Sequence, residues 1–264
     1  MVEVSNKELI MFNKDTIDRM MDTPIETEPF NHFVIDDFFN EQFAEAASRE
    51  FPGAEDPRWY RYNNPLEDKF AMNSWDKFPK LTYNALWFLC SQNFSDILSR
   101  KIGSRVYADY GLNGGGWHMH GNKGKLNIHQ DYSIHPKLPF ERKLNIIIYL
   151  SKDWNPEWGG GLQFWSHDEE NNKPKEMVKK IDVKFNRAVI FDTTQNSWHG
   201  LPENINCPDN EYRKSLAVYY LQEPNENTIQ MRSKAWYAPY KEQESDPSIL
   251  EFIEKRKQQT PGAQ

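Results

Sequence analysis

The second half of this chain admits few folds. From Tyr107 onward, short runs of apolar and β-branched residues recur with a period of two. Gly, Pro and Asn turns separate them, with no helical stretch between. In Leu144–Leu150, Asn145, Ile147 and Tyr149 share one face of a strand, and Ile146, Ile148 and Leu150 share the other. Trp158–Trp165 reads as a glycine turn feeding a strand, Val183–Asp192 as a strand broken at Asn186-Arg187, and Lys214–Leu221 as a further strand. A series of this kind closes on itself as an antiparallel jelly roll.

The first half is patterned differently. Residues 1–28 form a polar lead-in with room for one helix. Phe30–Phe39 reads as a strand running into a turn. Asn40 caps a helix that carries Phe43, Ala46 and Ala47 on one face and ends at Pro52. Residues 58–78 read as an irregular loop, and Leu81–Leu98 as one long helix or two short ones. Beyond the strands, 223–240 is irregular, with Trp236, Tyr237 and Tyr240 packing back. Asp246-Pro247 then opens a short charged helix, followed by a polar tail. The expected organisation is a lead-in (1–28), a domain (29–222) with a helical front (29–106) and a jelly-roll core (107–222), and a C-terminal extension (223–264). The fold class is mainly β with a helical front (α+β), a double-stranded β-helix.

Charge and composition exclude some functions. A net charge of −7 argues against a nucleic-acid footprint and favours a neutral or cationic partner. The basic stretch Lys173–Lys180 is interrupted by Glu176 and reads as a solvated loop. There is no secretory h-region and no run near the ~20 apolar residues of a membrane span, so a cytoplasmic protein without membrane contact is expected. Cys90 and Cys207 lack metal-type spacing and are expected as free thiols. Nothing in the sequence sets an oligomeric state.

The chemistry gathers around Leu126–Tyr132. On a strand, His129 and Asp131 point into one space, as an imidazole and a carboxylate that can grip a transition metal. Four of the seven histidines lie between His118 and His135. His120 stands out because it approaches the His129 strand through the glycine-rich segment Gly114–Gly124. That segment is expected to border the substrate entrance, either as a gate or as a plain connection. It lacks the Lys-Ser/Thr of a phosphate loop. His199 follows the Ala188–Asp192 strand and can close the site as a third ligand. Two His and one carboxylate leave open positions, as in non-haem Fe(II) oxygenases; zinc hydrolysis uses a similar set. Arg213 and Ser215 share a face of the next strand. A buried Arg needs an anionic partner, which a carboxylate ligand or a protein acid would supply, and Tyr149 can add a phenol donor.

At these residues the chain resembles a known family. His129-Gln-Asp131, His199 and Arg213-Lys-Ser-Leu216 resemble the His-x-Asp, His, Arg-x-Ser pattern of Fe(II)- and 2-oxoglutarate-dependent dioxygenases, in their prolyl 4-hydroxylase-like branch. Arg142 through Trp154 and Gly159–Leu162 are similar to that branch's segment between the ligands, and the order agrees over roughly 30–221. The resemblance implies a hydroxylase with Fe(II), 2-oxoglutarate, O2 and ascorbate as reductant. It implies His129, Asp131 and His199 as iron ligands, Arg213 as anchor of the distal carboxylate, and Tyr149 and Ser215 assisting. His120 stands where the family often has Tyr, which leaves His120 and Asn127 as candidates for the other carboxylate. A prolyl residue in a peptide is the substrate it implies first; a free amino acid or small metabolite is the alternative. A non-catalytic jelly-roll binding module with a vestigial metal site is the reading from another class.

Overall fold

The computed structural model describes residues 10–194, 196–224, 232 and 234–258. Its strands are β1 (His32–Ile35), β2 (Tyr60–Asn64), β3 (Glu67–Met72), β4 (Tyr107–Ala108), β5 (Gly116–His120), β6 (Lys125–Gln130), β7 (Glu141–Tyr149), β8 (Leu162–Asp168), β9 (Lys173–Ile181), β10 (Ala188–Asp192), β11 (Trp198–Leu201), β12 (Arg213–Gln222) and β13 (Trp236–Tyr237). They form one antiparallel sheet in the order β1-β10-β7-β12-β5-β3-β6-β11-β8-β9, with β13 added to β6, β2 to β3 and β4 to β12. This is the mainly β jelly roll that the strand pattern predicts, with helices at its front.

Those helices are α1 (Thr16–Asp22), α2 (Glu41–Arg49), α3 (Lys80–Leu89) and α4 (Gln92–Ile102). Asn40 caps α2 by accepting from the Gln42 amide at 3.1 Å. The apolar run 81–98 is two helices because Ser91 caps α4 through the Phe94 amide. One face of the sheet packs under these helices. Leu144, Ile146 and Ile148 of β7 and Leu216, Val218 and Tyr220 of β12 join Phe43, Leu86, Leu89, Phe94 and Leu98 in one core. The opposite residues of the same strands are thereby turned to the other side of the sheet. At the chain's end, α5 (Pro247–Gln258) begins as expected at Asp246-Pro247. Both cysteines are buried and free.

Three stretches differ from expectation. Residues 58–78 contain the β2–β3 hairpin, not a loop; β3 bridges β5 and β6 and so closes the sheet. Lys173–Lys180 lies in β9, an edge strand paired with β8, whose exposed Lys residues and Pro174 blunt a free edge. The break at Asn186 removes the first half of its strand. Asn186 has φ +62°, and its amide makes two strand-like bonds with the backbone of Phe39. The expected C-terminal tail (259–264), and residues 225–231 and 233 of the irregular stretch, lie outside the described residues. Among the described residues no helix is long and apolar enough to cross a membrane.

Candidate metal and cosubstrate site

Strands β6 and β11 lie side by side with His129 directly opposite His199. Each imidazole donates its Nδ1–H to the carbonyl two residues before it, Asn127 at 2.9 Å and Ser197 at 2.8 Å. This fixes the ring orientations and leaves both Nε2 atoms facing Asp131. His129 Nε2 is 3.7 Å from Asp131 Oδ1, and His199 Nε2 is 3.7 Å from Asp131 Oδ2. All three ligand atoms lie within 4.8 Å of one another, and all three residues are buried. Burial alone would raise the Asp131 pKa, but the two imidazoles and Arg142 hold it far below the usual carboxylate range. Burial pushes His199 down to about 4, so it offers a neutral lone pair near neutral pH. Buried, pre-oriented, with one carboxylate and two imidazoles, the set fits a divalent iron.

The surroundings hold each ligand. Tyr219 donates to Asp131 Oδ2 at 3.0 Å. The Arg142 guanidinium lies between the rings of Tyr132 and Tyr219, 3.4 and 3.6 Å from their centroids. Tyr237 of β13 stacks on His129 at 5.2 Å, and Phe191 meets His199 edge-on at 4.7 Å.

The ligands open onto a cavity of about 590 Å³. Its floor is the second face of β5, β12 and β7. The register sets Arg213 opposite His120, Ser215 between His118 and Tyr149, and Ala217 between Gly116 and Ile147. Arg213 is 2% exposed. Its Nε donates to the Gly160 carbonyl at 2.7 Å and a terminal nitrogen to the Tyr149 hydroxyl at 3.3 Å. Gly160 has φ +77°, a conformation that favours glycine, and a Cβ there would press on Arg213 Cδ at 3.0 Å. No carboxylate of the described residues lies within ion-pair distance of Arg213. A buried guanidinium facing a cavity and paired only with neutral groups fits a ligand carboxylate.

The other expected site residues fall in different places. His120 lines the cavity beside Arg213; burial, with Arg213 and Lys69 nearby, keeps it neutral, and neither ring nitrogen has a partner among the described residues. Asn127 turns its amide away, to the Ala238 carbonyl at 2.9 Å and Gln243 at 2.6 Å in the C-terminal extension. His135 is structural, between Asn113 and Asp109. Within Gly114–Gly124, residues 116–120 form strand β5, paired on both sides, and Gly114, Gly115, His118 and His120 line the cavity. Tyr219, Glu67, Lys69 and Arg256 carry no local pattern that links them to the histidines, and Tyr237 was legible only as a residue that packs back.

The comparisons with known proteins agree with this geometry. Residues 115–222 match the model of the 2OG-Fe(II) oxygenase superfamily. Over 62 residues the chain is 32% identical to the prolyl 3-hydroxylase OGFOD1 of Mus musculus, covering 24% of this chain. Over 79 residues it is 28% identical to that of Xenopus laevis, covering 30% of this chain. These stretches span only 11% and 15% of the relatives' lengths. Among solved structures, the prolyl 4-hydroxylase of Phytophthora capsici superimposes with TM-score 0.54 at 16% identity, over 97% of this chain and 80% of that one. The Pseudomonas putida prolyl-4-hydroxylase does so with TM-score 0.50 at 11% identity, over 78% and 96%. At such identities the structures establish the shared fold, while the family match rests on the residues that carry the ligands. The jelly-roll core, residues 115–222, is thus similar in sequence to the 2OG-Fe(II) oxygenase superfamily, and the chain shares its fold with the prolyl hydroxylases.

Proposed function

We propose that the protein hydroxylates an unactivated C–H bond, with His129, Asp131 and His199 holding Fe(II) and Arg213 holding the distal carboxylate of 2-oxoglutarate. The observation that carries this reading is the shared cavity wall: a three-ligand cluster and a buried, carboxylate-free Arg213 face one space. A zinc hydrolase would leave Arg213 and Tyr149 without a role, and binding alone would not need all four of His129, Asp131, His199 and Arg213. When bound, iron and 2-oxoglutarate supply the oxidation, in which O2 converts the oxo acid to succinate and CO2 and leaves one oxygen on the substrate carbon.

The chain's own residues position the parts. Arg213 neutralises the far end of the diacid, with Tyr149 and Ser215 as additional donors, and His120 stands close enough in the register to contribute. Asp131 is held by Tyr219, so its two oxygens keep fixed directions. Ile147, Leu162, Leu201 and Ala217 give the cavity apolar walls that exclude water. The names of the relatives support a prolyl residue as the target, with a free amino acid or small metabolite as the alternative. The test is purified protein with Fe(II), 2-oxoglutarate and O2: succinate should form, and a peptide substrate should gain one oxygen atom by mass spectrometry. Absence of 2-oxoglutarate-dependent succinate, with iron bound, would rule the reading out.

A further inference from the structure

The cavity carries a charge opposite to that of the chain. The whole protein has a net charge of −7. Yet the cavity is lined by six cations, Lys69, Lys137, Arg142, Arg213, Lys234 and Arg256, against two carboxylates, Glu67 and Asp131. The oxygenase reading, on which this inference rests, uses Arg213 and Asp131, and Arg142 faces Asp131 at 3.9 Å. Lys69, Lys137, Lys234 and Arg256 remain, with Glu67 alone to balance them. They come from β3, from the loop after β6 and from the C-terminal extension, so no single charged run of sequence accounts for the patch.

Glu67 cannot neutralise its neighbours. It is buried and shared, 3.2 Å from Lys69 and 2.8 Å from Arg256. Lys69 also stands over the Tyr62 ring at 4.9 Å, and Arg256 over Tyr237 at 4.7 Å. Glu67 therefore acts as a strut that fixes two cations side by side with one positive charge in excess. Among the described residues, Lys137 and Lys234 have no carboxylate within ion-pair distance, and Tyr62 and Tyr237 line the cavity beside them. Tyr237 is 7% exposed and lines the cavity, so its hydroxyl is available to what enters. Ammonium, guanidinium and phenol groups are all donors. A wall of donors with surplus positive charge pairs with an anion, repels a cation and leaves a neutral ligand's neighbours uncompensated.

We propose that the substrate is anionic, carrying a carboxylate beside the carbon that is hydroxylated, and that Lys69, Arg256 and Lys234 bind it against the Tyr62–Tyr237 wall. This replaces the neutral or cationic partner expected from net charge. Fields from distant surface carboxylates are screened within about 8 Å of salt solution, whereas the cations lining the cavity act at contact range.

The test uses the full chain loaded anaerobically with Fe(II) and 2-oxoglutarate, whose visible chelate band reports an intact site. Six probes are titrated by calorimetry: a proline-centred peptide with flanking Glu, its Gln and Lys counterparts, and free proline, aspartate and glutamate. An acidic probe should bind at least about tenfold more tightly than the Gln peptide, the worth of one charge-assisted hydrogen bond. The Lys peptide should bind most weakly, and added salt should erase the difference. Whether the Glu peptide or a free acid binds separates the two sources of the carboxylate. Lys234→Glu, at a half-exposed position, should abolish the preference, and Lys234→Gln should halve it on a logarithmic scale. With the chelate band present, equal, absent or reversed preference overturns the inference. If the band itself fails to form in the wild type, the oxygenase reading falls, and this inference with it.

Discussion

Replacing Arg213 separates the cosubstrate from the metal. The side chain is buried, its donors meet a carbonyl and a phenol, and no carboxylate of the described residues balances its charge. The charge that completes it is therefore the ligand's. Leaving one half of a buried charge pair uncompensated costs roughly 3–5 kcal/mol. At 1.4 kcal/mol per decade, this is roughly two to four orders of magnitude in 2-oxoglutarate affinity. Arg213→Ala should show that loss and still bind iron, because no metal ligand touches the guanidinium. Arg213→Lys keeps the charge but not the fork, and should fall between. Anaerobic titration of the Fe(II) protein with 2-oxoglutarate, followed at the chelate band, gives the dissociation constants, and metal analysis gives the loading. Wild-type affinity in Arg213→Ala, with unchanged iron, would place the anchor elsewhere and refute the assignment.

Other variants address separate parts of the site. Asp131→Ala should lose Fe(II) binding and succinate formation together; full turnover in this variant would break the three-ligand assignment. Gly160→Ala should cost about 1–2 kcal/mol in thermal unfolding for its left-handed φ, and should weaken 2-oxoglutarate more than iron because the new methyl presses on Arg213. Glu67 yields a pH effect. Burial would raise its pKa, but Lys69 and Arg256 hold it at about 2 against an ordinary 4.5. A depressed carboxylate stabilises the fold above its unfolded pKa, and the contribution fades as pH falls from about 4.5 to 2, on the order of 3 kcal/mol in all. Unfolding curves of Glu67→Gln should therefore change less over that window than those of the wild type; parallel curves would remove the strut.

What could be read in the chain depended on burial. Asn145–Ile147–Tyr149 and Arg213–Ser215 share faces as expected, because each strand has an apolar core on one side and a cavity on the other, so the period of two is clear. β2, β3 and β9 gave no such signal. Their outer faces meet solvent, and Tyr, Asn, Lys and Glu replace the apolar alternation. The glycines of 114–124 pointed to mobility, whereas in the fold they permit close packing: a Cβ on Gly116 would lie 2.2 Å from the Met72 carbonyl. His129 and Asp131 were legible because two residues on one strand share a face by local geometry alone. Tyr237 and Arg256 were not, since β13 reaches β6 from more than a hundred positions away.

That pairing of β13 with β6 divides labour along the chain. The three ligands and Arg213 sit within 129–213, inside the stretch that matches the superfamily, while Lys234, Tyr237 and Arg256 arrive from beyond it. Reaction and recognition are thus encoded in consecutive, separable segments. A chain cut after Gln222 would keep every proposed iron and cosubstrate contact but lose one wall of the cavity and the ring stacked on His129. Conversely, exchanging the last thirty or so residues for those of a superfamily enzyme would be a direct way to retune which molecules are oxidised without redesigning how.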